Sequence, residues 1–293
     1  MKTLPLNDLD EVIRSDLLLM NLRSENESPE TVVVELDDNT INIRFHGDWL
    51  LLNCHLGEFA HNSNKPESWL PCNVGLPGGV KFALTAECQL LLAAELFLSS
   101  DHCAARLRKA LDGFQRGWDR WRNPSLDEGM LADEERVKAV EDLQSLKSEL
   151  GEAGWDCSVS SEGELSALLE LGFEQHRRAQ VKPVDENSFR VQCEIAHLQP
   201  ELPVARIRAI DLLLLRVNHE VRSVRSLRVA GETELQYRLE VECGRDAAGV
   251  KAALEALSLA GREVISELQV LSESDALAGA YLEYGIRRAT NNH

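Results

Sequence analysis

An α+β fold of two tandem domains, each an antiparallel sheet packed with helices, is what this sequence predicts. Three observations predict it. Short apolar segments of strand period follow one another across tight turns. Each such group ends in a long amphipathic helix, and the two groups overlay at one constant offset. A length of 293 residues fits two domains of ordinary size, taken here as 1–125 and 126–293.

Leu9, Val12, Ile13, Leu17 and Leu18 recur about once per turn and predict an N-terminal helix. The period then changes. Residues 31–36, 40–45 and 49–56 read as strands, separated by the turn signals Asp37-Asp38-Asn39 and His46-Gly47-Asp48. Connections this short serve antiparallel neighbours only. The polar stretch 58–77, with Pro66, Pro71 and Pro77, reads as a loop or irregular crossover. A strand over 80–85 and a long apolar run over 87–98 follow, and Ser99-Ser100-Asp101 supplies a helix N-cap. The helix behind it spaces Ala104, Leu107, Leu111, Phe114, Trp118 and Trp121 on one stripe and stops before Asn123-Pro124.

Residues 126–132 read as an acidic linker and 133–154 as a helix with Val137, Val140, Leu143, Leu146 and Leu150 inward. From 155 to 196 the pattern is mostly strand; 162–176 fits strand or helix, strand being preferred. A helix over 204–219, a hairpin of 221–229 and 233–243, a long helix over 246–271 and a short one over 275–284 complete the chain.

The overlay uses an offset of 143 residues. Leu84 falls on Leu227, Leu96 on Leu239, Leu107 on Val250, Ala110 on Ala253, Leu111 on Leu254 and Phe114 on Leu257. One hairpin-and-helix unit repeated in order is the physical reading.

This order of elements resembles the class I type III secretion chaperone family, the Tir-chaperone-like fold. The resemblance is carried by residues 31–38 (TVVVELDD), 46–52 (HGDWLLL), 90–98 with the helix behind them, and 235–241 (LQYRLEV) with 247–257. It implies a cytoplasmic protein that binds an extended segment of a partner, such as a secreted protein, and keeps it unfolded. Members of that family work as homodimers of one domain. Two copies in one chain depart from that plan and imply a monomeric pseudo-dimer.

Charge agrees with such a role. With 31 basic against 49 acidic residues the net charge is −18, which disfavours nucleic acid and anionic membranes and favours basic segments. Seven cysteines at wide spacings, with no CxxC pair, predict reduced thiols. Neither a signal peptide nor a span of membrane length is expected from the acidic N-terminus and the short apolar runs.

No catalytic motif is found. Cys54-His55 would place its side chains on opposite faces of a strand, and His102-Cys103 has no base positioned beside it. The glycine-rich run 75–79 lacks the lysine of a P-loop, and no histidine spacing suits a metal. Arg206, Arg208, Arg216, Arg222, Arg225 and Arg228 read as a face salt-bridged to the acidic first half, Trp118 and Trp121 as packing. Neither cofactor nor metal is expected, and the protein is read as no enzyme. The candidate client-contact residues are Val32, Val34, Ile41, Ile43, Leu50 and Leu52, with Val191 and Ile195 as counterparts; the alternative is that they are core. Residues 32–34 and 50–52 place apolar groups on both strand faces, which favours binding. Alternative functions are a small-molecule-dependent enzyme with a site at the domain interface, and a structural subunit of an assembly.

Overall fold

The computed structural model describes residues 23–28, 31–36, 39–46, 49–58, 69–97, 103–123, 143–160, 164–172, 175–231 and 234–290. The expected N-terminal helix, the cap at 99–101, the linker at 126–132, the start of the helix expected over 133–154 and the domain boundary lie outside them.

The strands of the first half are β1 (Arg23–Ser28), β2 (Thr31–Leu36), β3 (Asn39–His46), β4 (Trp49–Glu58), β5 (Lys81–Leu84) and β6 (Gln89–Phe97). They form one antiparallel sheet in the order β1-β2-β3-β4-β6-β5. Helix α1 (Cys103–Arg122) follows and packs on β6. In the second half, α2 (Leu143–Glu152) precedes β7 (Cys157–Val159), β8 (Leu165–Glu170), β9 (His176–Pro183) and β10 (Ser188–Leu198). Then come α3 (Val204–Glu220), β11 (Arg225–Ala230), β12 (Leu235–Gly244), α4 (Ala247–Glu273) and α5 (Asp275–Thr290). The second sheet runs β7-β8-β9-β10-β12-β11. Strand for strand, this is the order of the first.

The alternation read from sequence is met in the register. Val32 lies opposite Ile43, Val34 opposite Ile41, and Ile43 opposite Leu52, so one face of three strands is a single apolar surface. The ambiguous stretch 162–176 contains strand β8, with Leu165, Ala167 and Leu169 buried. The helix stripes match as well: Leu107, Ala110, Leu111 and Phe114 are buried in α1, and Val250, Ala253, Leu254 and Leu257 in α4. The edge strands match less simply. Leu84 belongs to the main core and Leu227 does not, so an offset of 143 puts them on opposite faces. One residue further along, Lys81 meets Arg225 and Phe82 meets Ser226.

A single cluster of buried apolar side chains runs through both halves. It is mostly aliphatic, with Phe114 and Trp118 in ring contact under α1. Trp121 packs against it half-buried. The two halves thus share a core.

Candidate functional site

The two sheets meet at their inner edges, β5 and β11. An edge strand carries backbone donors and acceptors that need partners once buried. Here the partners are two asparagine amides. Asn73 ends a short 3-10 turn (Pro71–Asn73) between β4 and β5, and Asn218 lies in the last turn of α3, between β10 and β11. Asn73 Oδ1 accepts from Phe82 N (2.6 Å) while its Nδ2 donates to Ser226 O (2.9 Å). Asn218 Oδ1 accepts from Ser226 N (2.5 Å) while its Nδ2 donates to Phe82 O (2.9 Å). Each amide therefore binds the N–H of its own half's edge strand and the C=O of the other's. Both are fully buried.

A second reciprocal pair sits beside it. Lys81 opens β5, and its Nζ donates to Val221 O (3.2 Å) and Val224 O (3.0 Å) of the second half. It also pairs with Glu95 Oε2 at 3.0 Å. Arg225 opens β11, and its Nη1 donates to Leu76 O and to Val80 O (3.0 Å) of the first half. Its Nε lies 2.7 Å from Glu240 Oε1, which Nη2 reaches too. Each cation is thus balanced by a carboxylate of its own sheet and aimed at the loop before the other sheet's edge strand. Burial pushes the Lys81 pKa down, and Glu95 offsets part of that push. Glu95 also accepts from the N–H of Ser223 at 3.2 Å, itself a left-handed turn residue with φ 62°.

Packing repeats the exchange. The crossover helix α3 covers β5 of the first sheet, and the Pro71–Asn73 turn lies against β11 of the second. Gly78, at φ +67°, lets the first crossover touch α1: a Cβ there would collide with the backbone of Ala110. Within the glycine-rich run 75–79, Gly78 is therefore the position that packing requires.

Between the halves lies a cleft of about 460 Å³. In it Lys109 of α1 donates to Asp185 Oδ2 (2.6 Å), Ser188 Oγ (3.3 Å) and Glu242. Burial opposes ionisation of Asp185, yet hydrogen bonds from Lys109, from Asn187 N–H and with Ser188 hold its carboxyl below the ordinary value. All three Lys109 protons are committed to the protein.

The candidate client residues Val32, Val34, Ile41, Ile43, Leu50, Leu52, Val191 and Ile195 are all core, at most 2% exposed. Their side chains are closed to a partner in this state, because the apolar strand faces are taken up by the shared core. What remains outward on the first sheet is Val33 and Leu51, half-buried, and the ring pair of Trp49 and the exposed Phe97, among Asn42, Arg44 and Asn53. The corresponding face of the second sheet is polar, with Gln192 bonded to Gln180 at 3.0 Å.

Cys54 is buried and His55 exposed, on opposite sides of β4, and burial raises the Cys54 thiol pKa. Burial likewise pushes Cys193 and Cys243 up to about 12, the reverse of an activated nucleophile. Among the described residues no His/Cys/Asp/Glu group suits a metal ion, and no helix is long and apolar enough to cross a membrane. Three arginines of the cluster are salt-bridged within their own half, Arg206 to Asp275, Arg225 to Glu240 and Arg228 to Asp211, and Arg216 lies over the Tyr281 ring. For these three the partners are second-half acids, not the expected first-half ones, since α3 packs on α5 and β11, and β11 on β12.

Asn73, Lys81, Glu95, Asn218 and Glu240 escaped the sequence reading, and Arg225 entered it only as one of six clustered arginines. The available signal was an asparagine and a cation recurring before and at the edge strand, Lys81 and Arg225 lying 144 residues apart. Neither a family model, nor a curated protein, nor a solved structure matches this chain.

Proposed function

We propose that the chain is a chaperone-like, protein-binding pseudo-dimer of two copies of one module, which holds an extended basic segment of a client in the cytoplasm and performs no catalysis. The observation that carries this reading is the reciprocal clasp of Asn73 and Asn218. Like groups of each half reach equivalent groups of the other, which is the pattern of a two-fold interface. The shared strand order of the two sheets and the matching helix stripes support duplication.

Client contact is assigned to the outward face of the first sheet, at Val33 and Leu51. These are aliphatic groups of strands β2 and β4 that the core leaves over, beside the Trp49–Phe97 ring pair. A net charge of −18 favours a basic segment. A photo-crosslinking residue at position 33 or 51 of the full chain, activated in the native cell, tests this. The expected result is adducts to one protein within one contiguous basic stretch. Absence of protein adducts, with a tightly bound metabolite co-purifying, overturns it. That second outcome is the one the cleft around Lys109 favours, since small-molecule sites lie in clefts of this size between domains.

A further inference from the structure

We infer that His197 is a proton-dependent strap that fastens the turn of the β11–β12 hairpin to β10, at the rim of a groove on the outward face of the second sheet. His197 lies near the end of β10, just past a register irregularity between Glu194 and Ala196. Its Nε2 is 3.0 Å from Glu194 Oε2 on its own strand, and its Nδ1 is 3.0 Å from Glu234 Oε1 at the hairpin turn. A neutral imidazole has one N–H and one lone pair. It can therefore donate to one of these carboxylates, and it must turn a lone pair towards the other. Only the imidazolium donates to both.

The surroundings are fully charged or polar. Glu194 also pairs with Arg238 of β12 at 3.2 Å, and Glu234 also accepts from Gln236 at 3.1 Å. Arg238 in turn donates to Gln236 at 2.5 Å. Glu164, Arg177 and Arg178 line the same groove, of about 650 Å³, as Glu194 and His197. The hydrogen bond with Glu234 first, and then Glu194, raise the His197 pKa against a modest loss of solvent. A raised pKa in the folded state makes the strap fully present below the ordinary value of 6.5 and released as pH rises through the raised value. The turn it holds is closed by Gly231 N donating to Glu234 O at 2.8 Å, so freeing the Glu234 side chain loosens that backbone.

The experiment uses the full chain. Ring-nitrogen NMR of His197 is followed from about pH 5.5 to about 8.5, together with hydrogen exchange of the Gly231 and Leu235 amides corrected for intrinsic rate. The ring is expected to titrate above 6.5 with both nitrogens protonated at the acid end. Turn amides should exchange about two- to fivefold faster once the proton leaves. His197→Gln should show the fast exchange at every pH, and Glu234→Gln should bring the titration down. A ring that titrates at or below 6.5, or turn protection that does not change with pH, overturns the inference.

Discussion

The two crossovers between the fourth and fifth strands of each sheet are built differently and deliver the same group. In the first half a 3-10 turn and a run of left-handed glycines place Asn73 against both edge strands. In the second half a helix of 17 residues places Asn218 there. What the junction holds constant is the position of an amide, not the element that carries it. The helical crossover packs over β5 of the other half and the 3-10 turn packs against β11, so the exchange extends from hydrogen bonding to packing. The cations differ in the same spirit. Lysine serves one side and arginine the other.

That last difference gives the largest expected effects. Glu240→Ala strands a buried guanidinium, which keeps its proton in a protein, and should cost about 3–5 kcal/mol in denaturant unfolding. Glu95→Ala should cost less, about 1–3 kcal/mol: both cations retain two carbonyl acceptors, but Lys81 can shed its proton and Arg225 cannot. Their pH dependence separates them. Burial already lowers the folded Lys81 pKa below 10.5, and removing Glu95 lowers it further. Between that lowered value and 10.5 the unfolded chain holds more protons, so stability rises with pH. The Glu95→Ala deficit should therefore shrink as pH is raised, while the Glu240→Ala deficit stays flat. Equal deficits at every pH would mean that the two cations are not distinguished by their ability to lose a proton.

The glycine crossover sharpens the comparison from the other side. Gly78→Ala forces a Cβ into the Ala110 backbone at φ +67° and should cost about 2–4 kcal/mol. Gly79→Ala has φ +69° but open space around it, and should cost about 1–2 kcal/mol. Thermal or denaturant unfolding reads both. A Gly78 variant as stable as the Gly79 one would show that the crossover shifts freely over α1, and that its packing does not place Asn73.

Much of this fold was legible because strand and helix periods are local. Val32, Val34, Ile41 and Ile43 alternate as a buried face must, and Leu107, Leu111 and Phe114 recur as a helix stripe must. The same alternation could not say whether that face meets a partner or the molecule's own core, since both require apolar side chains. Core it is, for all eight candidates. The junction was illegible for a different reason. Asn73 and Phe82 are nine residues apart, but Asn73 and Ser226 are 153 apart, and nothing local marks a side-chain amide that satisfies a distant strand edge. An overlay fixed on the helices also ran one residue out of step at the edge strands, which hid Lys81 and Arg225 from each other.

The finest test concerns the amides themselves. Asn218→Ala leaves Ser226 N–H and Phe82 C=O unpaired, one on each edge strand, whereas Asn73→Ala leaves Phe82 N–H unpaired and Ser226 C=O with only the longer bond from Asn218 Nδ2 at 3.3 Å. Each should cost about 1–3 kcal/mol. The two side chains share partners, Phe82 and Ser226, so the double variant should depart from additivity by about 0.5–3 kcal/mol, against the few tenths expected of independent sites. Once the first amide is gone the strand edges can separate and take water, and the second loss then costs less than it does alone. Denaturant unfolding of the four proteins measures this directly. Strict additivity would mean that each asparagine serves its own half alone, and that the reciprocity between the halves has no energetic content.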